Sequence, residues 1–393
     1  MTTSSAVSLL SDELLHQFAE RAPVYDRENR FFDEDWEALK AAKYLIAPIP
    51  KELGGLGYNL SQMMAETRRL AYFAPATALA TNMHVYWLGL IADLWRQGDK
   101  SLEWALKDGA AGEVFAAGHA ESGNDVPVLY STTKAEKVAG GYKFTGHKSF
   151  GSLTPVWTRL GLHGVDNSDP KAPKIVHAFM PRDAQNYRIK QTWDNVLGMR
   201  ATRSDDTLLE GVFVPDQYIA RVVAPGFAGI DGFVLGVFAW ALLGFGNVYY
   251  GLAQRAFDET IGQVKKKKSV ALSRGSMAYH SGVQRDIADM ALELEGIGPH
   301  LDTIARDWSE GVNHGGLWGV KIVAAKTHAV EASWRVVDKV LDIVGGFGIF
   351  PGSGFERIVR DARLGRLHPA SGYLTREILA KAYLGVDLDE QPR

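Results

Sequence analysis

Cysteine is absent from the 393 residues. That excludes disulfides, thiolate nucleophiles, cysteine-held iron–sulfur clusters and Cys-type zinc sites. A basic surplus is missing too. Lys and Arg number 43 against 46 Asp and Glu, a net charge of −3, which disfavours a nucleic-acid partner. No His-x-x-x-His pair or carboxylate cluster has metal-ligand spacing, so no metal is expected. The glycines at 54–57 and 345–348 lack the strand-to-helix setting and spacing of a Rossmann phosphate loop. Residues 1–15 hold no basic region followed by a long apolar run. No secretory signal and no membrane anchor are expected, and the expected location is the cytoplasm.

What is present is ordinary for a globular chain: 46% hydrophobic and 23% charged residues, and length enough for two or three domains. The most apolar stretch, 226–251, carries Asp231, Asn247 and several glycines, which predicts a buried helix and not a membrane span. The lysine run 265–268 predicts a solvated helix end.

The hydrophobic period changes twice. Residues 11–107 have helical spacing, interrupted by a Pro/Gly-rich loop at 46–58, with Ser61 the expected N-cap of the next helix and a further apolar helix over 77–95. Between 113 and 215 the period is two. Strands are expected at 114–119, 132–138, 142–145, 157–164, 175–180, 187–193 and 207–212, paired antiparallel. Helical spacing then returns. Val283, Ile287, Met290, Leu294, Ile297, Leu301 and Ile304 form one stripe, and Val320, Val323, Val330, Trp334, Val337 and Leu341 another. The expected class is α+β, with a helical domain at 1–112, an antiparallel β domain at 113–220 and a C-terminal four-helix bundle, also serving oligomerisation, at 221–393.

Four segments carry a resemblance over nearly the whole chain. They are Pro50-Lys-Glu-Leu-Gly-Gly-Leu-Gly57; Ala120-Glu-Ser-Gly-Asn-Asp125 with Gly141-Tyr-Lys-Phe-Thr-Gly-His-Lys-Ser-Phe-Gly-Ser152; Gly251-Leu-Ala-Gln-Arg-Ala-Phe-Asp-Glu259; and Gly345-Gly-Phe-Gly-Ile349 with Glu356-Arg-Ile-Val-Arg-Asp-Ala-Arg363. In this order and spacing the sequence resembles the acyl-CoA dehydrogenase superfamily of flavoproteins. That resemblance implies flavin-facing positions at Asn124, Phe150 and Ser152. It also implies that the Gly345–Gly346 strap approaches the cofactor of a neighbouring subunit, in a homotetramer.

The chain departs from the dehydrogenases where their chemistry needs a carboxylate base. One family position for that base falls on Pro369 and the other near Ala241, and neither residue can take a proton. The family's Arg-x-x-Phe signature for FAD is missing, and Arg274 is the nearest candidate for a phosphate contact. Leu367-His368-Pro369 and Trp193-Asp-Asn-Val-Leu-Gly-Met-Arg200 are instead similar to the superfamily's flavin-dependent monooxygenase branch, the dibenzothiophene monooxygenase-like enzymes. Those take reduced FMN from a separate flavin reductase and transfer oxygen through a flavin C4a-hydroperoxide. The branch implies His368 as proton donor, and His84 as a second acid/base group. Ser152 and Asn124 would hold the flavin N5 and the peroxide, and Phe150, Trp193 and Trp240 would wall a dry cavity. A small substrate, aromatic or with a sulfur or nitrogen centre, follows by analogy. FAD in place of FMN stays open. So does a FAD-dependent dehydrogenase or oxidase whose base is Glu210, Asp231 or Asp205, and a scaffold without catalysis.

Overall fold

The computed structural model describes residues 8–390; residues 1–7 of the expected leader-free N-terminus lie outside them. Among the described residues five α-helices come first: α1 (Asp12–Glu28), α2 (Asp33–Ala41), α3 (Leu60–Phe73), α4 (Pro75–Arg96) and α5 (Glu103–Ala110). The N-cap of α3 is Asn59, not the expected Ser61. Asn59 Oδ1 accepts from Gln62 N at 3.0 Å and the Gln62 side chain accepts from Asn59 N at 3.0 Å. A reciprocal box satisfies two orphan donors where Ser61 would satisfy one. Helix α4 is buried on nearly every face, which makes it the axis of the N-terminal half.

Eight strands follow: β1 (Phe115–Gly118), β2 (Lys134–Val138), β3 (Gly141–Gly151), β4 (Arg159–Asp166), β5 (Lys174–Pro181), β6 (Tyr187–Lys190), β7 (Asp205–Pro215) and β8 (Ile219–Val223). They form one sheet in the order β6-β7-β3-β2-β4-β5-β8, with β1 added against β4. The all-antiparallel expectation is corrected at two places. β1 runs parallel to β4 from Phe115 opposite Arg159 to Gly118 opposite Leu162, and β2 meets β4 in parallel at Lys134 and Val165. The reason is connectivity: the chain between β1 and β4 is long enough for the crossover that parallel pairing requires. β8 was not expected, and it carries the sheet across the anticipated 220/221 boundary.

The C-terminal part holds α6 (Gly232–Val237), a π-helical turn (Phe238–Leu242), α7 (Leu243–Lys266), α8 (Ser281–Ser309), α9 (Trp318–Val344), α10 (Phe355–Arg363) and α11 (Gly372–Leu384). Asp231 caps α6 by accepting from Val234 N at 2.9 Å. The segment Gly232–Lys266 is long and apolar enough to cross a membrane, but most of its apolar window is buried inside the protein. Helix α7 packs against α8 and α9, and also against α3 and α4. Helix α3 of the N-terminal region packs on α7 and α8 as well, while α10 and α11 pack on α9, so the C-terminal bundle is continuous with the N-terminal helices. The stripes of α8 and α9 are buried as their spacing predicts, with Ile287, Trp334 and Leu341 at the margins. Lys267, in the lysine run, donates to Val344 O at 3.0 Å and so caps α9.

Candidate active site

The two β segments singled out by sequence are joined by a buried ion pair. Glu121 and Lys148 are both buried, and Lys148 Nζ donates to Glu121 Oε1 and to His163 O at 2.6 Å each. Glu121 also accepts from Thr132 N, Thr133 N and Ser131 Oγ at 2.8–3.0 Å. Burial works to raise the Glu121 carboxyl, but the Lys148 charge and these donors hold it down at about 2. Asn124 belongs to this turn. Its Nδ2 donates to Glu121 Oε2 and Tyr130 O, and its Oδ1 accepts from Val126 N at 3.1 Å. Both ends of the amide are used within the chain, so Asn124 shapes the turn and does not reach out to hold a peroxide.

Phe150, Ser152 and Trp193 do come together. Phe150 has a φ of 59° and is 63% exposed. Its ring stands edge-on to Trp193, with centroids 6.0 Å apart at 78°. Asp205 fixes the Trp193 backbone by accepting from Thr192 N and Trp193 N, both at 3.0 Å, and the indole donates to Met199 O at 3.2 Å. Beside them Ser152 Oγ meets Ser204 Oγ at 2.7 Å, and Ser204 Oγ meets Thr202 Oγ1 at 2.6 Å. An exposed aromatic corner backed by a chain of hydroxyls suits a flat heterocycle with a polar edge. Trp240 is not part of it. Its ring is buried against α4, where a Cβ on Gly89 would lie 2.3 Å from the indole, and its Nε1 donates to Asp93 at 2.7 Å.

His368 lies just beyond α10, half-buried. Its Nε2 is 2.8 Å from the Tyr249 hydroxyl, and its ring stacks on Phe245 at 4.4 Å and 14°. Gly365 allows this, since a Cβ there would lie 2.9 Å from the Tyr249 ring. Burial, and then the charge of Lys326, push the imidazole down to about 3. At neutral pH it is therefore an uncharged ring. Tyr249 was missed by sequence reasoning, because an aromatic in an apolar helix carries no separate signal.

His84 is corrected as a catalyst. It is buried, its Nδ1 accepts from Phe115 N at 3.0 Å, and its Nε2 meets Leu45 O at 3.1 Å. With both nitrogens on backbone, and burial lowering it to about 4, it fastens α4 to β1 and to the 45–49 loop. Its neighbours on α4 differ. Asn82 Oδ1 and the Tyr86 hydroxyl, four residues apart on one helix face, are buried without a partner among the described residues. Buried polar atoms are rarely left so. No residue pattern in the sequence separates them from His84.

A third group lies apart. Arg274 sits on the exposed loop between α7 and α8 with its guanidinium 4.9 Å over Tyr279. Gly345, with a φ of 72°, and Gly346 follow α9, next to Lys267. No hydrogen bond or ion pair joins Arg274, Gly345 or Gly346 to Ser152 among the described residues. Arg360 and Asp361, the strict part of the C-terminal signature, are ionic ties. Arg360 grips both oxygens of Asp26 on α1 at 2.6 and 3.1 Å. Asp361 accepts from Met199 N at 2.6 Å, which anchors the Trp193 loop to α10. That tie connects the aromatic corner to the element leading to His368.

Two family models match: the acyl-CoA dehydrogenase N-terminal domain over residues 6–100 and its C-terminal domain over residues 233–384. The chain belongs to the acyl-CoA dehydrogenase family. Similar members include L-evernosamine nitrososynthase of Micromonospora sp. (strain ATCC 39149 / NRRL 15099 / SCC 1413), 26% identical over 98% of this chain and 91% of its own. Dibenzothiophene monooxygenase of Mycolicibacterium goodii is 25% identical over 93% and 91%. Among solved structures, KijD3 in complex with FMN and a dTDP-amino sugar superposes with a TM-score of 0.84 at 22% identity over 96% and 93%. Butyryl-CoA dehydrogenase of Megasphaera elsdenii does so with 0.81 at 17% over 98% and 100%. The fold thus spans dehydrogenases and oxygenating relatives, and the acyl-CoA dehydrogenase fold alone does not choose between them.

The residues decide more. Of the carboxylates offered as a dehydrogenase base, Asp205 is tied to Thr192 N, Trp193 N and Arg203. Asp231 caps α6 and pairs with Arg221. Glu210 pairs with Arg188 on the exposed side of β7. Ala241 lies in the π-helical turn and its carbonyl accepts from Asn82 at 3.4 Å.

Proposed function

We propose that this protein is a flavin-dependent monooxygenase that uses reduced FMN and O2 to oxygenate a small substrate. The observation carrying this reading is His368. Directly before Pro369, which stands at one family position for the base, the chain offers a neutral, hydrogen-bonded imidazole beside Tyr249, and Asp205, Asp231 and Glu210 are each tied elsewhere. The named relatives act or bind in keeping with this: a monooxygenase, a nitrososynthase and a structure with FMN.

Phe150 and Trp193 would cover the flavin ring, and Ser152, within its hydroxyl chain, would meet its polar edge. Reduced FMN, when bound, supplies the two electrons with which one atom of O2 enters the substrate and the other leaves as water. The His368 N–H would donate a hydrogen bond at the reacting oxygen, and the apolar surroundings would exclude water that otherwise diverts the oxidant to hydrogen peroxide. Asn82 Oδ1 and the Tyr86 hydroxyl would meet a polar group of the substrate, which would be aromatic or bear a sulfur or nitrogen centre.

Reduced FMN would come from a separate flavin reductase by diffusion. A cytoplasmic homotetramer is the expected form. What supports oligomerisation is the exposed apolar surface at Phe347, Ile349, Phe350, Tyr373, Tyr383 and Leu384, together with the position of Arg274, Gly345 and Gly346 away from Ser152. Light scattering on a sizing column tests it, and cell fractionation tests the location.

The protein mixed with reduced FMN, O2 and a panel of aromatic and heteroatom compounds should give oxygenated product with less than one peroxide per flavin. His368→Ala should lower product about 100-fold and raise peroxide in step. Stoichiometric FAD that an acyl-CoA bleaches under nitrogen would instead establish the dehydrogenase reading.

A further inference from the structure

Lys326 sits in the first half of α9 and is 2% exposed. Its ammonium donates to His368 O at 2.9 Å and to Ala370 O at 2.8 Å. No carboxylate stands within ion-pair distance among the described residues. A buried ammonium whose partners are neutral carbonyls carries a desolvation cost that a leucine or methionine on the same helix face would avoid. Both carbonyls belong to the turn that presents His368, one on each side of Pro369.

We propose that Lys326 is a positioning residue: it clamps the two carbonyls that bracket Pro369 and so fixes the turn from which the His368 ring projects. Three restraints then act on the ring from different directions. Lys326 holds its backbone, Tyr249 holds its Nε2 edge, and Phe245 holds its face. The remaining freedom is rotation about the side-chain bonds, which the stack on Phe245 limits. The Lys326 charge adds a second effect by disfavouring a protonated His368 ring. A role for the ring in oxygen transfer rests on the reading above; the clamp itself does not.

The test compares Lys326→Met, His368→Ala and the double variant. Lys326→Met is expected to lower product per reduced FMN at least tenfold, with peroxide rising in step and half-saturating reduced FMN moving less than twofold. In the His368→Ala background the same change is expected to shift product less than twofold, because the group it acts through is gone. Product unchanged in Lys326→Met, or losses that multiply in the double variant, would overturn the proposal. Should Lys326→Met not fold, Lys326→Arg keeps the charge but replaces a compact ammonium with a planar fork. A tenfold loss of product at unchanged melting then supports the clamp, and unchanged product overturns it. A readout without flavin separates the two readings. The ring NMR signal of His368, identified by its absence in His368→Ala, should move in Lys326→Met. If wild-type protein oxygenates nothing and that signal still moves, the function reading fails and the clamp stands; a signal that stays put removes the clamp.

Discussion

Two buried lysines in this protein have opposite company. Lys148, at 1% exposure, points its ammonium at the Glu121 carboxylate and one carbonyl; Lys326, at 2%, points at two carbonyls and no acid. Burial lowers both, to about 8 for Lys148, where Glu121 resists the fall, and to about 7 for Lys326, where only the distant Glu331 does. The first is an ion pair that welds two segments of a β domain. The second has no paired carboxylate to offset its desolvation, and its contacts all go to one turn beside a histidine. Tyr86 extends the series: its buried hydroxyl has no partner at all among the described residues. Along this series the buried polar group is met by fewer and weaker partners.

That ordering can be broken by measurement. The largest effect is expected from Lys148→Met, which strands the Glu121 charge in the β domain and should cost about 3–5 kcal/mol in urea unfolding. Glu121→Leu added to it should recover only part of the loss, since it removes the stranded charge but leaves Thr132 N and Thr133 N without their acceptor. Lys326→Met should cost less than Lys148→Met; the reverse order would sink the comparison.

Acid comes next. His84, His177 and His368 are held by burial at about 4, 3 and 3, against roughly 6.5 in an unfolded chain. Above pH 6.5 both states are neutral and the stability is complete. Below it the unfolded chain takes up protons that the native rings refuse, so stability falls progressively from about 6.5 toward 3–4, by a few kcal/mol for each of the buried rings of His84 and His177 and by less for the half-buried His368. Asp35 and Asp361, raised by burial to about 6, oppose this between 6 and 4, but are fewer and less shifted. Melting temperature measured from pH 7.5 to 4.5 should therefore drop, and a flat profile would contradict the neutral buried rings. The smallest change in stability belongs to Tyr86→Phe. Removing an unpartnered buried hydroxyl should leave unfolding unchanged or slightly harder, while product formation falls about tenfold if that hydroxyl meets the substrate. Equal activity would return Tyr86 to the core.

Much of the architecture was legible in the residues. The period changes near 113 and 220, and the α8 and α9 stripes, reflect burial on one face and follow directly from side-chain spacing. Less legible was anything set by long-range pairing. β8 (Ile219–Val223) is only five residues long and lies past the last segment of period two, and it becomes a strand because β5 offers an edge. The parallel pairing of β1 with β4 depends on where a distant strand lies. Among site residues, Phe150, Ser152 and Trp193 were marked by their motifs and do meet. His84 and Asn124 carried equally suggestive chemistry, yet backbone groups consume their polar atoms.

The sequence by itself determined that no cysteine or basic surplus is present, that helices flank a sheet, and that proline and alanine stand at the two positions where a dehydrogenase places its base. The first two are matters of composition and period and the third is what the family resemblance implies; none of them needs coordinates. The tertiary structure decided which polar groups remain available. A histidine's chemistry depends on what its two nitrogens already touch and on how much water its burial has removed. Those partners lie tens to hundreds of residues away, as Tyr249 and Lys326 do from His368, and folding alone brings them there.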